Sequence, residues 1–384
     1  MRHRAESDSK GLIVRPVEGR KDLDLFISLP WKLYRDDPNW VPPLKLERRL
    51  FLSRSSPYFK HAEAMFWLAF RGRRVVGRIS AQVDRLFLDR YGEETGFWGM
   101  LEAEDDEELF ASLLDTAAGW LKGRGMKKMR GPFNLSINQE CGLLIKGFHH
   151  PPAMMMGHAR PYYQHRVEAL GHEKARDLLA YQILKSEDAV ERIQAILGTG
   201  RGNFSSRALD RSRLEEELHT IFAIFNDAWS HNWGFVPFTR DEYLELGKSM
   251  SHLARPEFIR IAEVDGEPAG FIAVLPDLNE IIRDLDGRLF PLGWAKLLWR
   301  LKFHDFEGGR VLLMGVLRKY QDSLAGAAIS LGLIRDVMNR LLESSIHRLE
   351  LSWILEDNLA MRRIIEALGA EPYKIYRIYE KEIL

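Results

Sequence analysis

The chain has 384 residues, enough for two or three domains at roughly 150 residues each. Its 55 Lys and Arg balance 55 Asp and Glu, which excludes the broad cationic surface that bulk nucleic-acid binding requires. A hydrophobic content of 46% with 29% charged residues excludes a disordered chain, and a single cysteine, Cys141, excludes a disulfide framework or a cysteine-rich zinc module.

In chain order, residues 1–10 read as a flexible terminus, and the first twenty residues hold no apolar core of signal-peptide length. No later run approaches the roughly 18 apolar residues of a membrane span, and the cysteine usage suits a reducing compartment, so a cytoplasmic protein is expected. Polar clusters at Asp36–Trp40 and Asn134–Glu140 read as turns and caps, or as groups facing a binding site. Residues 66–84 (FWLAFRGRRVVGRISAQVD) read as a hairpin turning at Gly72. A strand ending in Trp98-Gly99-Met100 then runs into Glu102, Glu104, Asp105, Asp106, Glu107 and Glu108 at a helix start, where carboxylates suit the dipole.

His149 and His150 are followed by His158, His165 and His172 at intervals of seven. No metal-ligand pair such as H-E-x-x-H appears, so this spacing reads as a solvated helix edge and no metal is expected. A helix over Tyr163–Leu170 should stop at Gly171 and be followed by the strand KARDLLAYQI. Polar and glycine residues gather in 188–204, which therefore reads as a linker between domains 11–187 and 205–384.

In the second half, residues 226–237 (NDAWSHNWGFVP) hold Trp229, read as core, and Trp233 and Phe235, read as groove lining. A second hairpin, 259–277 (IRIAEVDGEPAGFIAVLPD), turns at Gly266. Residues 290–303 (FPLGWAKLLWRLKF) form an amphipathic helix with Trp294, Leu297, Leu298 and Leu301 on one face and Lys296, Arg300 and Lys302 elsewhere. Its ordinary place is against the core; a membrane surface or the cover of a greasy groove would also suit it. The strand Val311–Leu317 leads through Arg318-Lys319-Tyr320-Gln321 into Ala325-Gly326-Ala327-Ala328 and a long helix. Small residues at such a turn admit phosphate to backbone amides, or simply start a helix. The strand Arg348–Ile354, the segment Glu356-Asp357-Asn358, a helix ending at Gly369 and the strand YKIYRIYEKEI complete the chain.

The two halves echo each other. EALGHE at 168–173 returns as EALGAE at 366–371, an offset of 198, and Ala69, Gly77 and Asp84 of the first hairpin align with Ala262, Gly270 and Asp277 at an offset of 193. The layout is mixed α/β and duplicated.

Hairpin, strand, small-residue loop, helix, strand, an asparagine at a helix start and a helix ending in "LG" resemble the GCN5-related N-acetyltransferase (GNAT) superfamily. The whole chain resembles a bacterial family of tandem GNAT-like proteins, through YRDDPNWVPPL, MRGPFNLSINQECGLLIKGF, PYYQHRVEALGHEK and LGAEPYKIYRIYEK. The resemblance implies an α/β (α+β mixed) fold of two GNAT-like domains in tandem, each a central mixed twisted sheet flanked by helices.

It also implies acetyl-CoA or another acyl-CoA as cosubstrate, bound by the second copy only. The superfamily's pyrophosphate loop (Q/R-x-x-G-x-G/A) falls on Gln321, Leu324, Ala325, Gly326 and Ala327, with Leu324 in place of the first glycine. Met314, Gly315 and Val316 match the strand that pairs with the pantetheine arm and would polarise the thioester carbonyl. Asn358 opens the cofactor-side helix, and Ile365 stands where the superfamily often has its acidic tyrosine. Ser352 and Glu356 are candidate bases, and Tyr373 or water would protonate the thiolate. In the first copy the six carboxylates would repel a diphosphate.

The expected activity is N-acylation of a small-molecule or peptide amine. A catalytically inactive acyl-CoA-binding protein is the alternative, and a Fem-type aminoacyltransferase a more distant one. The expected partners include no nucleic acid; membrane contact and a homodimer stay open.

Overall fold

Residues 11–197, 204–251 and 253–383 are described by the computed structural model; the expected terminus 1–10 and residues 198–203 of the expected linker lie outside them. From the N-terminus, strand β1 (Leu12–Pro16) leads to helices α1 (Gly19–Leu33) and α2 (Lys45–Phe51) and the hairpin β2 (Ala62–Arg71) and β3 (Arg74–Asp84). Then come α3 (Arg85–Tyr91), β4 (Thr95–Ala103), α4 (Glu107–Lys122), β5 (Lys128–Gly131), β6 (Leu143–Lys146), α5 (Tyr162–Ala169) and β7 (Glu173–Leu184). The second run begins with α6 (Glu187–Leu197), β8 (Ser205–Ala208), α7 (Leu214–Ala228), α8 (Arg240–Ser251) and the hairpin β9 (Ile259–Val264) and β10 (Glu267–Pro276). It continues through α9 (Asn279–Ile282), α10 (Gly293–Phe303), β11 (Gly308–Val316), α11 (Leu324–Leu342), β12 (Arg348–Leu355), α12 (Leu359–Ala367) and β13 (Glu371–Glu382).

Packing divides the chain into two units. The first takes residues up to Leu178, Ile282–Leu297 and the chain from Lys374 onward; the second takes Leu179–Ile281 and Leu298–Tyr373. In the first unit β1, β2, β3 and β4 are antiparallel neighbours and β5 runs parallel to β4. In the second, β8, β9, β10 and β11 are antiparallel neighbours and β12 runs parallel to β11. The strand order is the same, with α4 and α11 as the crossovers between the parallel strands.

The aligned residues do the same work in each unit. Ala69 pairs with Gly77 and Ala262 with Gly270, each beside a register shift in its hairpin. A Cβ at Gly77 would lie 2.8 Å from Leu113 of α4, and one at Gly270 would lie 3.0 Å from Ile329 of α11. Glycine is therefore what lets each crossover helix settle on its hairpin. Asp84 accepts the Leu86 N–H at 3.0 Å, and Asp277 accepts the Asn279 N–H at 3.2 Å, so both close the turn after the hairpin.

Gly171 and Gly369, after α5 and α12, adopt φ of 77° and 91°, the left-handed ends that the sequence predicts. Glu168 accepts the Tyr379 hydroxyl at 2.9 Å, whereas Glu366 accepts that of Tyr181 at 2.6 Å. The two tyrosines are again 198 residues apart, yet each serves the other copy's helix. The units consequently cut across the copies 11–187 and 205–384. The C-terminal part of β13 pairs with β5 and β6 of the first unit, and β7 enters the second unit from Leu179 onward. Residues 188–197 of the expected linker belong to helix α6.

Two expectations about side chains change. His158 and His172 are buried, the first bonded to Asp37 at 2.9 Å, so only His165 stands on a solvated helix edge. Helix α10, expected against the core, has no buried residue.

Candidate functional site

The second unit holds a cleft of about 800 Å³, and its geometry starts from a backbone irregularity. Strand β11 pairs with β12 only from Gly308–Arg348 to Val311–Leu351. At that point the β10–β11 register shifts, leaving Leu312 as a bulge that bends β11. Beyond it β11 and β12 part. Leu312–Val316 line one side, Leu349 and Leu351–Leu355 the other, with α11 and α12 behind them. Val337, Met338, Ile364, Ile365 and Leu368 make the depth of the cleft apolar.

Helix α11 begins at the mouth. Ser323 is its N-cap, accepting the Gly326 N–H on Oγ at 3.1 Å. Leu324, the departure from the superfamily loop, is 92% exposed, so its side chain turns outward and leaves the backbone approach open. A Cβ on Gly326 would lie 2.2 Å from the Tyr320 carbonyl oxygen, so this glycine is required by the loop's own packing. Gln321 donates to the carbonyls of Val316 at 2.8 Å and Ala228 at 3.1 Å, tying the loop to the end of β11. Arg318 and Lys319 are exposed on the same loop. Small residues, a capped helix start and nearby cations suit the diphosphate of a CoA thioester.

Of the sequence-predicted residues, Met314, Gly315, Val316, Gln321, Leu324, Gly326, Ala327, Asn358 and Ser352 line the cleft; Ala325, Glu356 and Tyr373 do not. Asn358 caps α12 by accepting the Met361 N–H at 3.1 Å. The Glu356 carbonyl accepts from Arg362 at 2.8 Å. Ser352 and Tyr373 are brought together through a residue the sequence reading missed: buried Glu350 accepts Ser352 Oγ–H at 2.5 Å on one oxygen and the Tyr373 hydroxyl on the other. Arg310, also buried, donates to Ser352 Oγ at 3.1 Å. The signal was available, because an Arg and a Glu inside apolar strands must be paired when buried.

The aromatic expectations reverse in part. Trp229 lines the cleft, donating Nε1–H to the Met314 carbonyl at 2.9 Å, whereas Phe235 is buried core; Trp233 lines the cleft as expected. Among the described residues, no group of three or more His, Cys, Asp and Glu is placed to hold a metal ion, and no helix is long and apolar enough to cross a membrane.

Two units with one strand order, and in the second a cleft opened by a bulged strand over a helix N-terminus, define a tandem GNAT fold. A tandem GNAT protein from the clavulanic acid biosynthesis pathway, solved without AcCoA, shares that fold at 14% identity and a TM-score of 0.57, covering 97% of this chain and 99% of that one. No family model matches the chain. Protein YghO of Escherichia coli (strain K12) is 45% identical over 372 residues, 97% of this chain and 95% of its own length. The bacterial ceramide synthase of Caulobacter vibrioides is 43% identical over 381 residues, 98% of this chain and 99% of its own length. The chain belongs to the family of these two proteins.

Proposed function

We propose that the protein is an acyl-CoA-dependent N-acyltransferase that places a long-chain acyl group on the amine of a lipid-like acceptor. The observation that carries this reading is the cleft: about 800 Å³, apolar in its depth, with a polar mouth at the start of α11. That volume is in the upper part of the range of small-ligand pockets, roughly 300–1,000 Å³. The name of the Caulobacter relative supports the same chemistry, since a ceramide is the N-acyl product of a long-chain amino alcohol.

The acyl-CoA supplies an activated thioester, and this chain's residues would do the rest. Backbone amides of Ser323–Ala325 at the start of α11 would hold the diphosphate, and those of Met314–Val316 would steady the charge developing on the carbonyl oxygen. Ser352 Oγ lines the cleft and is held between Glu350 and Arg310, so it would take a proton from the acceptor amine. The proton can then move to the Glu350 carboxylate through the serine hydroxyl. Ile365 lines the cleft where the superfamily's acid would stand, and the Tyr373 hydroxyl is committed to Glu350, so solvent protonates the departing thiolate.

The test is formation of an amide from long-chain acyl-CoA and a long-chain amino alcohol, followed by mass spectrometry and by thiol release. Turnover is expected with long-chain donors and to fall with acetyl-CoA. Ser352→Ala should lower kcat roughly 100-fold with little change in KM for the donor. Ala327→Glu, which adds a charge in the mouth without the clash that Gly326→Glu would create, should weaken CoA binding at least roughly tenfold. CoA binding without amide formation from any donor would make the protein a binder and overturn the reading.

A further inference from the structure

Helix α10 and the turn before it concentrate exposed apolar surface. Phe290, Leu292, Trp294, Leu298, Trp299 and Phe303 are 75%, 73%, 48%, 58%, 63% and 58% exposed. Isolated exposed hydrophobics are ordinary, but six large ones within fourteen residues are a patch that asks for a partner. At about 100° per residue, the exposed side chains of α10 follow in the order Trp294, Leu298, Lys302, Trp299, Phe303, Lys296 around an arc of about 200°. Aromatic and aliphatic groups thus share one face with lysines.

The charge says what covers it. Arg288, Lys296, Arg300 and Lys302 fall between residues 287 and 304, and no Asp or Glu does. Lys296 pairs with Asp284 at 2.5 Å, and Arg300 donates to the Ile281 carbonyl at 2.7 Å. Lys302 sits over the Phe303 ring on the exposed face, with its ammonium 5.2 Å from the ring centre. A second copy of the chain would bring the same cations against one another across a twofold axis. An anionic lipid surface complements them, and tryptophans with flanking lysines are the composition of a helix that lies in the headgroup layer. We propose that residues 290–303 dock the protein on an anionic bilayer surface, with Trp294, Leu298, Trp299 and Phe303 entering the headgroup boundary. The docking stands apart from acyl transfer, since none of these residues lines the cleft.

The experiment is co-flotation of the full chain with vesicles of phosphatidylcholine, with and without phosphatidylglycerol, at low and high salt and without substrates. Binding to the anionic vesicles is expected, weakened by salt, with little binding to neutral ones. The Leu298→Ser/Trp299→Ser double variant should bind at least roughly tenfold more weakly, while its thermal unfolding matches wild type because both sites are exposed. Lys302→Glu should bind roughly fivefold more weakly or less, on anionic vesicles alone. Quenching of wild-type tryptophan emission by brominated-chain lipid gives a readout that needs no variant. Absence of wild-type flotation and quenching overturns the proposal, as does undiminished binding by the double variant. So does a concentration-dependent dimer that the double variant abolishes without vesicle binding.

Discussion

The same parting of strands occurs twice in this chain, and only one of the two stays open as a cleft. In the second unit β11 and β12 part and leave a cleft. In the first, β4 and β5 pair only from Thr95–Lys128 to Phe97–Arg130, and the chain itself then fills the space. The Phe133 N–H donates to the Trp98 carbonyl at 2.8 Å, and Asn134 Oδ1 accepts the Met100 N–H at 2.7 Å. Gln82 and Tyr58 take the carbonyls of Phe133 and Leu135 at 2.7 and 3.2 Å. The Trp98 carbonyl and the Met100 amide of β4 are thereby satisfied by the loop itself. The lesson is that two units with one strand order can differ in whether the groove is open, because in one of them a loop is laid into it.

A partly buried ionic cluster backs this plug. Arg48 donates to Glu140 at 2.9 Å, and Glu140 also accepts from Asn134 at 2.9 Å. Burial works against the Glu140 charge, but Arg48 and the Asn134 hydrogen bond outweigh it and hold its carboxyl below the usual range. Glu102 accepts both Tyr34 and Tyr163 hydroxyls at 2.8 Å, 3.8 Å from Arg78. Here burial prevails, and its carboxyl is pushed above the usual range. The other acids of the Glu102–Glu108 run are paired as well: Glu104 with Lys32 at 2.6 Å, Asp105 with Arg166 at 2.8 Å, Asp106 with Arg71 at 2.7 Å.

Two glycines, one on β4 and one on β11, break the comparison most sharply. A Cβ at Gly99 would lie 1.7 Å from the Phe133 carbonyl oxygen, whereas one at Gly315 would meet the side chains of Ala228 and Phe271 at 3.1 and 3.3 Å. Gly99→Ala should therefore destabilise the protein by about 3 kcal/mol or more, and Gly315→Ala by roughly 1 kcal/mol, measured by denaturant unfolding. Equal costs would show that the plug is not tightly seated. Next in size, Glu102→Gln keeps an acceptor for both tyrosines but leaves partly buried Arg78 without that charge, and should cost about 2 kcal/mol in unfolding experiments. An unchanged stability would remove the cluster from the account of how the first groove is closed.

Much of this was legible in the sequence, and the limits have physical causes. The paired offsets of Ala69, Gly77 and Asp84 marked positions where a helix packs on a hairpin or a turn closes, which are local demands. Gly171 and Gly369 likewise announced helix ends. The exchange of Tyr181 and Tyr379 was not legible, because sequence spacing does not say which helix a strand will join. Asn134–Glu140 looked like an ordinary turn, and its role depends on partners such as Gln82 and Arg48 far away in sequence. In the cleft, the family resemblance pointed to Met314–Val316, which line it, whereas Trp229 and the Arg310–Ser352–Glu350–Tyr373 chain are set by tertiary packing.

The smallest effect expected concerns pH and the closed groove alone. His172 is 3% exposed, its ring 5.6 Å from that of Trp98 on β4. Burial, with a smaller contribution from the Lys381 charge, pushes its imidazole down to about 4. Its Nδ1 has no hydrogen-bond partner among the described residues, as suits a ring kept neutral. In the unfolded chain the same ring takes up a proton near pH 6.5, so between about pH 6.5 and 4 the unfolded state binds more protons. Stability should then rise with pH in that window and fall as the pH drops through it. From pH 7 to pH 6 the loss from this residue is about 0.7 kcal/mol, growing toward about 3 kcal/mol near pH 4. Urea unfolding of wild type and His172→Phe across pH 5–7 isolates this share, since other groups titrate alike in both. A smaller slope in the variant is expected. Identical slopes would mean that His172 titrates normally in the folded protein, and that the wall behind Trp98 admits water.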